Sequence, residues 1–165
     1  MQTTPPGDLV EDTLGIAPDD RLGALRRQRA DILRHTEGAF RELVTPANPG
    51  ALSQTERAAL ALRGALIESD AALAARFEAL VPEAERAEAR LFPAPAGEGR
   101  TAVLFRYADM VAREPERCTQ ADIDRLSALG LGAQEIVALT QLVSFVPFQT
   151  RLLAGLRLMQ QEHAA

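Results

Sequence analysis

No stretch of this chain alternates apolar and polar residues for long enough to supply a β-strand, so a sheet-based fold is not expected. Apolar residues recur instead at spacings of three and four, in runs that begin at capping residues and end at proline or glycine. In "DDRLGALRRQRADILRHTEGAFRELV", Leu22, Leu25, Ile32, Leu33, Phe40, Leu43 and Val44 fall on one helical face. Ser53-Gln54-Thr55-Glu56 is a capping box ahead of "RAALALRGALI", and Thr119 to Asp122 is a second one ahead of a short helix. The expectation is an all-α, single-domain helical bundle of about six to eight helices.

The breaks lie where the chemistry puts them. Two prolines and Gly50 in "TPANPG" end the first helix, Pro82 splits or ends "DAALAARFEALVPEAERAEARL", and "FPAPAGEGR" is a loop. "TAVLFRYADMVAREP" carries Val103, Leu104, Tyr107, Ala108 and Val111 on one stripe. Gly130 ends the short helix in a position where the left-handed conformation costs glycine little. The last helix, "AQEIVALTQLVSFVPFQTRLLAGLRLM", is apolar on most faces, which predicts a central or subunit-interface position. Pro147 inside it should kink or divide it. Residues 1–20, rich in proline and acid, read as an N-terminal arm, 21–160 as the helical domain and 161–165 as a tail.

Composition narrows the chemistry. A chain of 165 residues can bury a sizeable core, and 47% hydrophobic with 25% charged residues is ordinary globular usage. A net charge of −5 and a pI near 5.1 disfavour an electrostatic grip on nucleic acid or anionic lipid, so neither is expected as a partner. The absence of lysine excludes Schiff-base chemistry and a P-loop lysine. Cys118 is the only cysteine, so there is no intramolecular disulfide and no CxxC motif. His35 and His163 lie far apart without ligand-type neighbours in metal spacing, and no metal or other cofactor is expected. His35 reads as a surface or half-buried residue of its helix, and His163 belongs to the tail. The N-terminus lacks the pattern of a secretory signal, and no uninterrupted apolar stretch has bilayer-spanning length, so a cytoplasmic location is expected.

Several polar and aromatic residues have two readings. Glu68, Ser69 and Asp70 interrupt "ALRGALIESDAALAARF". Glu68 and Asp70 could form a paired-carboxylate acid/base site. Alternatively the triplet is a joint, with Ser69 or Asp70 capping the next helix at the positive end of its dipole. Glu68 and Arg63 could also be the polar contacts of a small-molecule pocket. Cys118, between Arg117 and the cap Thr119, is either a lone redox thiol or an incidental residue before a cap. Tyr107 either donates into a pocket or buries its ring in the core. Phe145, Phe148 and Arg151 line a pocket or serve core and interface. The arginines Arg26, Arg27, Arg29, Arg34 and Arg41 read as a solvated helix face rather than an anion site.

Taken in order, "LSQTERAALALRGALIESDAALAARF" and "AVLFRYADMVAREPERCTQADIDRLSALGLGAQEIVALTQLVSFVPFQTRLLAGL" resemble the carboxymuconolactone decarboxylase domain superfamily, in its alkylhydroperoxidase D-like branch, over residues 50–158. The likeness is carried by Tyr107 to Pro115, by Thr119 to Ile136, and by Phe145, Phe148 and Arg151 in the last helix. It implies an alkylhydroperoxidase D-like bundle related to antioxidant peroxidases, assembled as a dimer, trimer or hexamer. Peroxidase-type members resembling it carry CxxC and a histidine at the start of the helix after the "ERAALALR"-like segment. There a helix N-terminus lowers the thiol pKa, and a second thiol three residues on resolves the sulfenic acid. By spacing from Arg63, Asp70 and Leu73 stand where those thiols would, Phe77 stands near the histidine, and Glu56 or Glu68 near a relay glutamate. Thiol peroxidase activity is therefore not expected. The decarboxylase branch relies on pocket histidines, which this chain does not have within the shared region.

Two functions follow from the resemblance. One retains a small-molecule pocket lined by Arg63, Leu73, Phe77, Tyr107, Phe145, Phe148 and Arg151, with Glu56, Glu68, Asp70 and Cys118 as candidate catalytic groups. The other is a non-catalytic oligomeric scaffold, or a partner of a cysteine-containing relative.

Overall fold

From Arg57 to Ala65 every residue is buried, although two of them are arginines. Such a segment can only be the innermost element of a helical fold. The computed structural model describes residues 8–17 and 19–164, and among these there are nine α-helices and no strand. They are α1 (Leu9–Leu14), α2 (Arg21–Arg27), α3 (Ala30–Val44), α4 (Gln54–Ile67), α5 (Ala71–Glu78), α6 (Glu83–Ala89), α7 (Arg100–Arg113), α8 (Gln120–Ala128) and α9 (Ala133–Ala164). A 3-10 turn at Pro115–Arg117 links α7 to α8. The fold is all-α.

Helix α4 is the axis, with α3, α5, α6, α7 and α9 packed around it. Cross-links order three of these helices in the same direction. Near the start of α4, Glu56 meets Arg100 of α7 and the Ala51 amide meets Glu135 of α9. Further along, Arg63 meets Asp109 of α7, and Gly64 lies against Val146 of α9. A Cβ at Gly64 would stand 3.1 Å from a Val146 methyl, so glycine, at a helix-propensity cost of about 1 kcal/mol, sets how closely α9 approaches.

Arg57 anchors the irregular connection before α4. Its Nε donates to Leu52 O at 2.9 Å, Nη1 to Leu43 O at 2.9 Å and Nη2 to Pro49 O at 3.0 Å. One guanidinium thereby closes the end of α3 and folds the proline-rich loop onto the core.

The structure departs from the expected layout in four places. The first long helix is two helices, broken at Gln28 and Arg29, and Leu25 and Ile32 are exposed rather than sharing the buried face with Leu22 and Val44. The arginine face is only partly solvated, because Arg26 turns inward to Asp8 and Glu11 of the preceding segment. The stretch read as an arm contains α1, capped by Asp8 and burying Leu9 and Val10; residues 1–7 and 18 of that stretch lie outside the described residues. Helix α9 passes Pro147 undivided and continues to Ala164, through most of the expected tail; the side chain of His163 lies outside the described part.

Helix α9 is long and largely apolar, with polar residues interspersed along it. By length and composition Ala133–Glu162 is long and apolar enough to cross a bilayer: its most apolar 18-residue window has a mean hydropathy of 1.4, and half of that window is buried inside the protein. The helix is therefore not wholly central: Leu139, Leu142, Val146 and Leu153 are fully buried, while Val137, Phe148 and Leu158 are 55%, 50% and 63% exposed.

Removing the Arg57 clamp tests this account. Arg57→Met is expected to lose about 3 kcal/mol in urea unfolding, because three carbonyls forfeit a charged donor. Arg34→Met, which removes an exposed pair to Asp31, should stay within about 0.5 kcal/mol of the parent.

Candidate functional site

The polar triplet after α4 is a helix-to-helix joint. Glu68 is the C-cap of α4, and Ser69 adopts φ 59°, the left-handed region that favours glycine. The Asp70 amide donates to Ala65 O at 3.0 Å and the Ser69 amide to Leu66 O at 3.1 Å, which is the Schellman arrangement. Asp70 then caps α5, its Oδ1 accepting from the Leu73 amide at 3.1 Å. Arg157 of α9 completes the arrangement with two parallel bonds to the same carboxylate, at 2.7 and 2.9 Å. Burial pushes the Asp70 carboxyl up, but the bonds from Arg157 and Leu73 outweigh it, and the group titrates below its ordinary value.

Glu68 does not share this network as an acid/base partner. It is half-buried, its Oε2 lies 3.5 Å from the Thr150 hydroxyl, and that hydroxyl donates to Pro147 O at 2.9 Å. Glu56 is equally committed: it closes the capping box with Ser53 and receives the Arg100 Nε at 2.5 Å. Burial raises the Glu56 pKa, yet the bonds from Arg100 and Ser53 win and hold it low, unsuited to passing protons near neutral pH. Cys118 caps the 3-10 turn with an exposed side chain. Desolvation by its neighbours raises its pKa, and the charges of Asp122 and Glu116 raise it further. The neighbouring Arg117, a cation that would favour a thiolate, pairs with Glu114 at 2.5 Å. The thiolate is disfavoured here.

The expected pocket does not assemble. Arg63 is wholly buried, its Nε and Nη2 held by Asp109 at 2.5 and 2.6 Å and its Nη1 by Leu91 O at 2.5 Å. The Phe92 and Phe105 rings lie 4.0 and 4.7 Å from its guanidinium carbon. It faces protein rather than a ligand. Leu73 and Phe77 are fully buried on α5, and Phe145 is buried on α9. Phe148 and Arg151 lie on the exposed side of α9, because three residues on a helix turn a side chain about 60° from its starting direction. Tyr107 is buried, with its hydroxyl 2.8 Å from the Thr140 hydroxyl, so it ties α7 to α9.

Of the expected pocket residues, Tyr107 also borders an open groove of about 460 Å³ alongside α7. Val103 and Met110 form its apolar floor, and Arg106, Arg113, Arg117 and Arg125 stand around it with Asp109, Glu114 and Asp122. Sequence reading missed the partners that decide these sites: Asp109, Arg157 and Arg100. Asp109 and Arg157 are charged residues inside helices with apolar faces, and that was the available signal; Arg100, at the first position of α7, carried none. Among the described residues, no group of three His, Cys, Asp or Glu side chains could hold a metal ion. No family model, curated protein or solved structure matches the chain.

Two variants probe the joint. Ser69→Gly removes the left-handed strain and should stabilise the protein by about 1 kcal/mol, raising Tm by about 2–4 °C in calorimetry. Asp70→Asn should cost about 2 kcal/mol at pH 7, since the cap survives but the Arg157 pair does not. Because the Asp70 pKa is lowered by folding, its contribution is complete above the unfolded value of about 3.9 and is lost as pH falls through the folded value. Stability of Asp70→Asn should therefore fall less steeply than that of the parent below about pH 4, as read by urea midpoints across pH.

Proposed function

We propose that this protein is a non-redox, homo-oligomeric member of the alkylhydroperoxidase D-like branch of the carboxymuconolactone decarboxylase superfamily, acting as a helical scaffold rather than as a thiol peroxidase. The Asp70–Arg157 pair carries this reading. At the helix start where peroxidase-type members of that superfamily place the first thiol, this chain has a carboxylate with both oxygens bonded to one guanidinium. Its neighbour at the second thiol's place, Leu73, is core. The lone thiol, Cys118, lies elsewhere with a raised pKa.

The outer face of α9 supports the oligomer. Val137, Gln141, Ser144, Phe148, Arg151 and Leu158 are all exposed at steps of three, four or seven residues, which is one stripe of a helix. In an antiparallel pairing centred between Pro147 and Phe148, Val137 of one copy opposes Leu158 of the other, and Ser144 opposes Arg151. The apolar ends and the polar pairs match, so the stripe is self-complementary, as a two-fold interface requires. A cysteine-containing relative could use the same face in a mixed assembly.

Peroxide consumption with a thiol regenerating system should show no turnover above buffer, and Cys118→Ser should change nothing; robust turnover by the parent protein would overturn the non-redox reading. Light scattering should give a mass at least twice the 17.8 kDa of one chain. Phe148→Glu should shift it toward the monomer with helicity retained. A monomeric parent protein would remove the scaffold reading.

A further inference from the structure

Among the described residues, Arg113 is the cation of the groove beside α7 that no carboxylate pairs with. Its carboxylates are already committed: Asp109 gives both oxygens to Arg63, Glu114 pairs with Arg117, and Asp122 serves the Thr119 cap and Arg125. Arg106 is bonded to Gly97 O and Glu98. Arg113 differs from these. Among the described residues no carboxylate reaches it, and its contact is the Phe92 ring, 5.5 Å from its guanidinium carbon. The same ring takes Arg63 at 4.0 Å, so the aromatic that steadies Arg113 is itself fixed by a buried residue.

We propose that this groove is a binding site for a small organic monocarboxylate with an apolar or aromatic body, held by Arg113. A guanidinium presents parallel donors that fit a carboxylate in two bonds. Val103, Met110 and Pro93 offer apolar surface for the body beside that head, and the volume of about 460 Å³ suits a small molecule. The charge balance selects the class. With Glu114, Asp109 and Asp122 bordering the groove, one unpaired guanidinium matches a single negative charge, and a phosphate dianion would meet added repulsion. The site is independent of the oligomer proposed for α9 and of any thiol chemistry, since none of its residues lies on that face.

Benzoate is a suitable probe, titrated into the ¹⁵N-labelled full-length protein by NMR. Amide shifts should cluster at Val103, Tyr107, Met110 and Arg113 and saturate with a Kd near ~1 mM, the range open to so small a ligand in an open groove. Arg113→Gln should weaken binding at least about tenfold, and Arg113→Lys should recover part of it. Arg21→Gln, an exposed arginine on α2, should leave the titration unchanged. Benzyl alcohol should bind more weakly than benzoate, and phenyl phosphate no better. Absence of saturable shifts at about ten times that concentration would overturn the site, as would shifts centred elsewhere or a titration indifferent to Arg113→Gln. Tighter binding of phenyl phosphate than of benzoate would overturn the assignment to a carboxylate.

Discussion

Arg63 has no exposed surface, and α4 could not occupy the middle of the bundle unless that charge were met on all sides. Desolvating a guanidinium costs several kcal/mol, which only well-placed partners offset. The partners come from different elements. Asp109 belongs to α7, the Ala89 and Leu91 carbonyls to the end of α6 and the turn after it, and the rings to Phe92 and Phe105. A single side chain therefore locates α6, α7 and the connection between them relative to α4. Such a pair specifies geometry more than it adds net stability, because moving any partner leaves a buried charge uncompensated.

The same device recurs at both ends of α4. Arg57 fixes the end of α3 and the loop through three carbonyls and, among the described residues, without a carboxylate in direct contact. Asp70, just beyond α4, fixes α9 through Arg157. Apolar packing draws these helices together, but alanine-rich surfaces slide past one another at little cost. Directional bonds to buried charges, with the close approach at Gly64, select one register.

What the sequence revealed follows from the range of the interactions involved. Both capping boxes, the Asp70 cap and the left-handed Gly130 at φ 83° depend on residues within a few positions of one another, and all are present. The break at Gln28 and Arg29 was hidden because neither position carries a proline or glycine to mark it. The role of Arg63 was hidden because its carboxylate lies 46 positions away. The apolar character of α9 pointed to a central or interface position for it, whereas the aliphatic parts of Arg57 and Arg63 and their bonded heads let α4 take the centre. Pro147 misled in the other direction. One lost backbone bond does not end a helix that α4 packs against along its buried face, and the carbonyl of Pro147 itself is met by Thr150.

The joint at Asp70 bears on how a redox site and a structural one can share an electrostatic framework. The start of α5 offers unpaired amides and the positive end of a helix dipole, which favour any anion placed there. A thiol in that field becomes a thiolate and hence a nucleophile, because sulfur is reactive once ionised. A carboxylate in the same field is also held ionised, as the lowered pKa of Asp70 reflects, but its ionised form is the inert one. Adding Arg157 deepens the same preference and removes the remaining lone pairs from use. In the proposed reading, the electrostatics that activate a cysteine in peroxidase-type members of the superfamily serve here to anchor α9 to α5, so the position is retained as a structural joint and its redox chemistry is not.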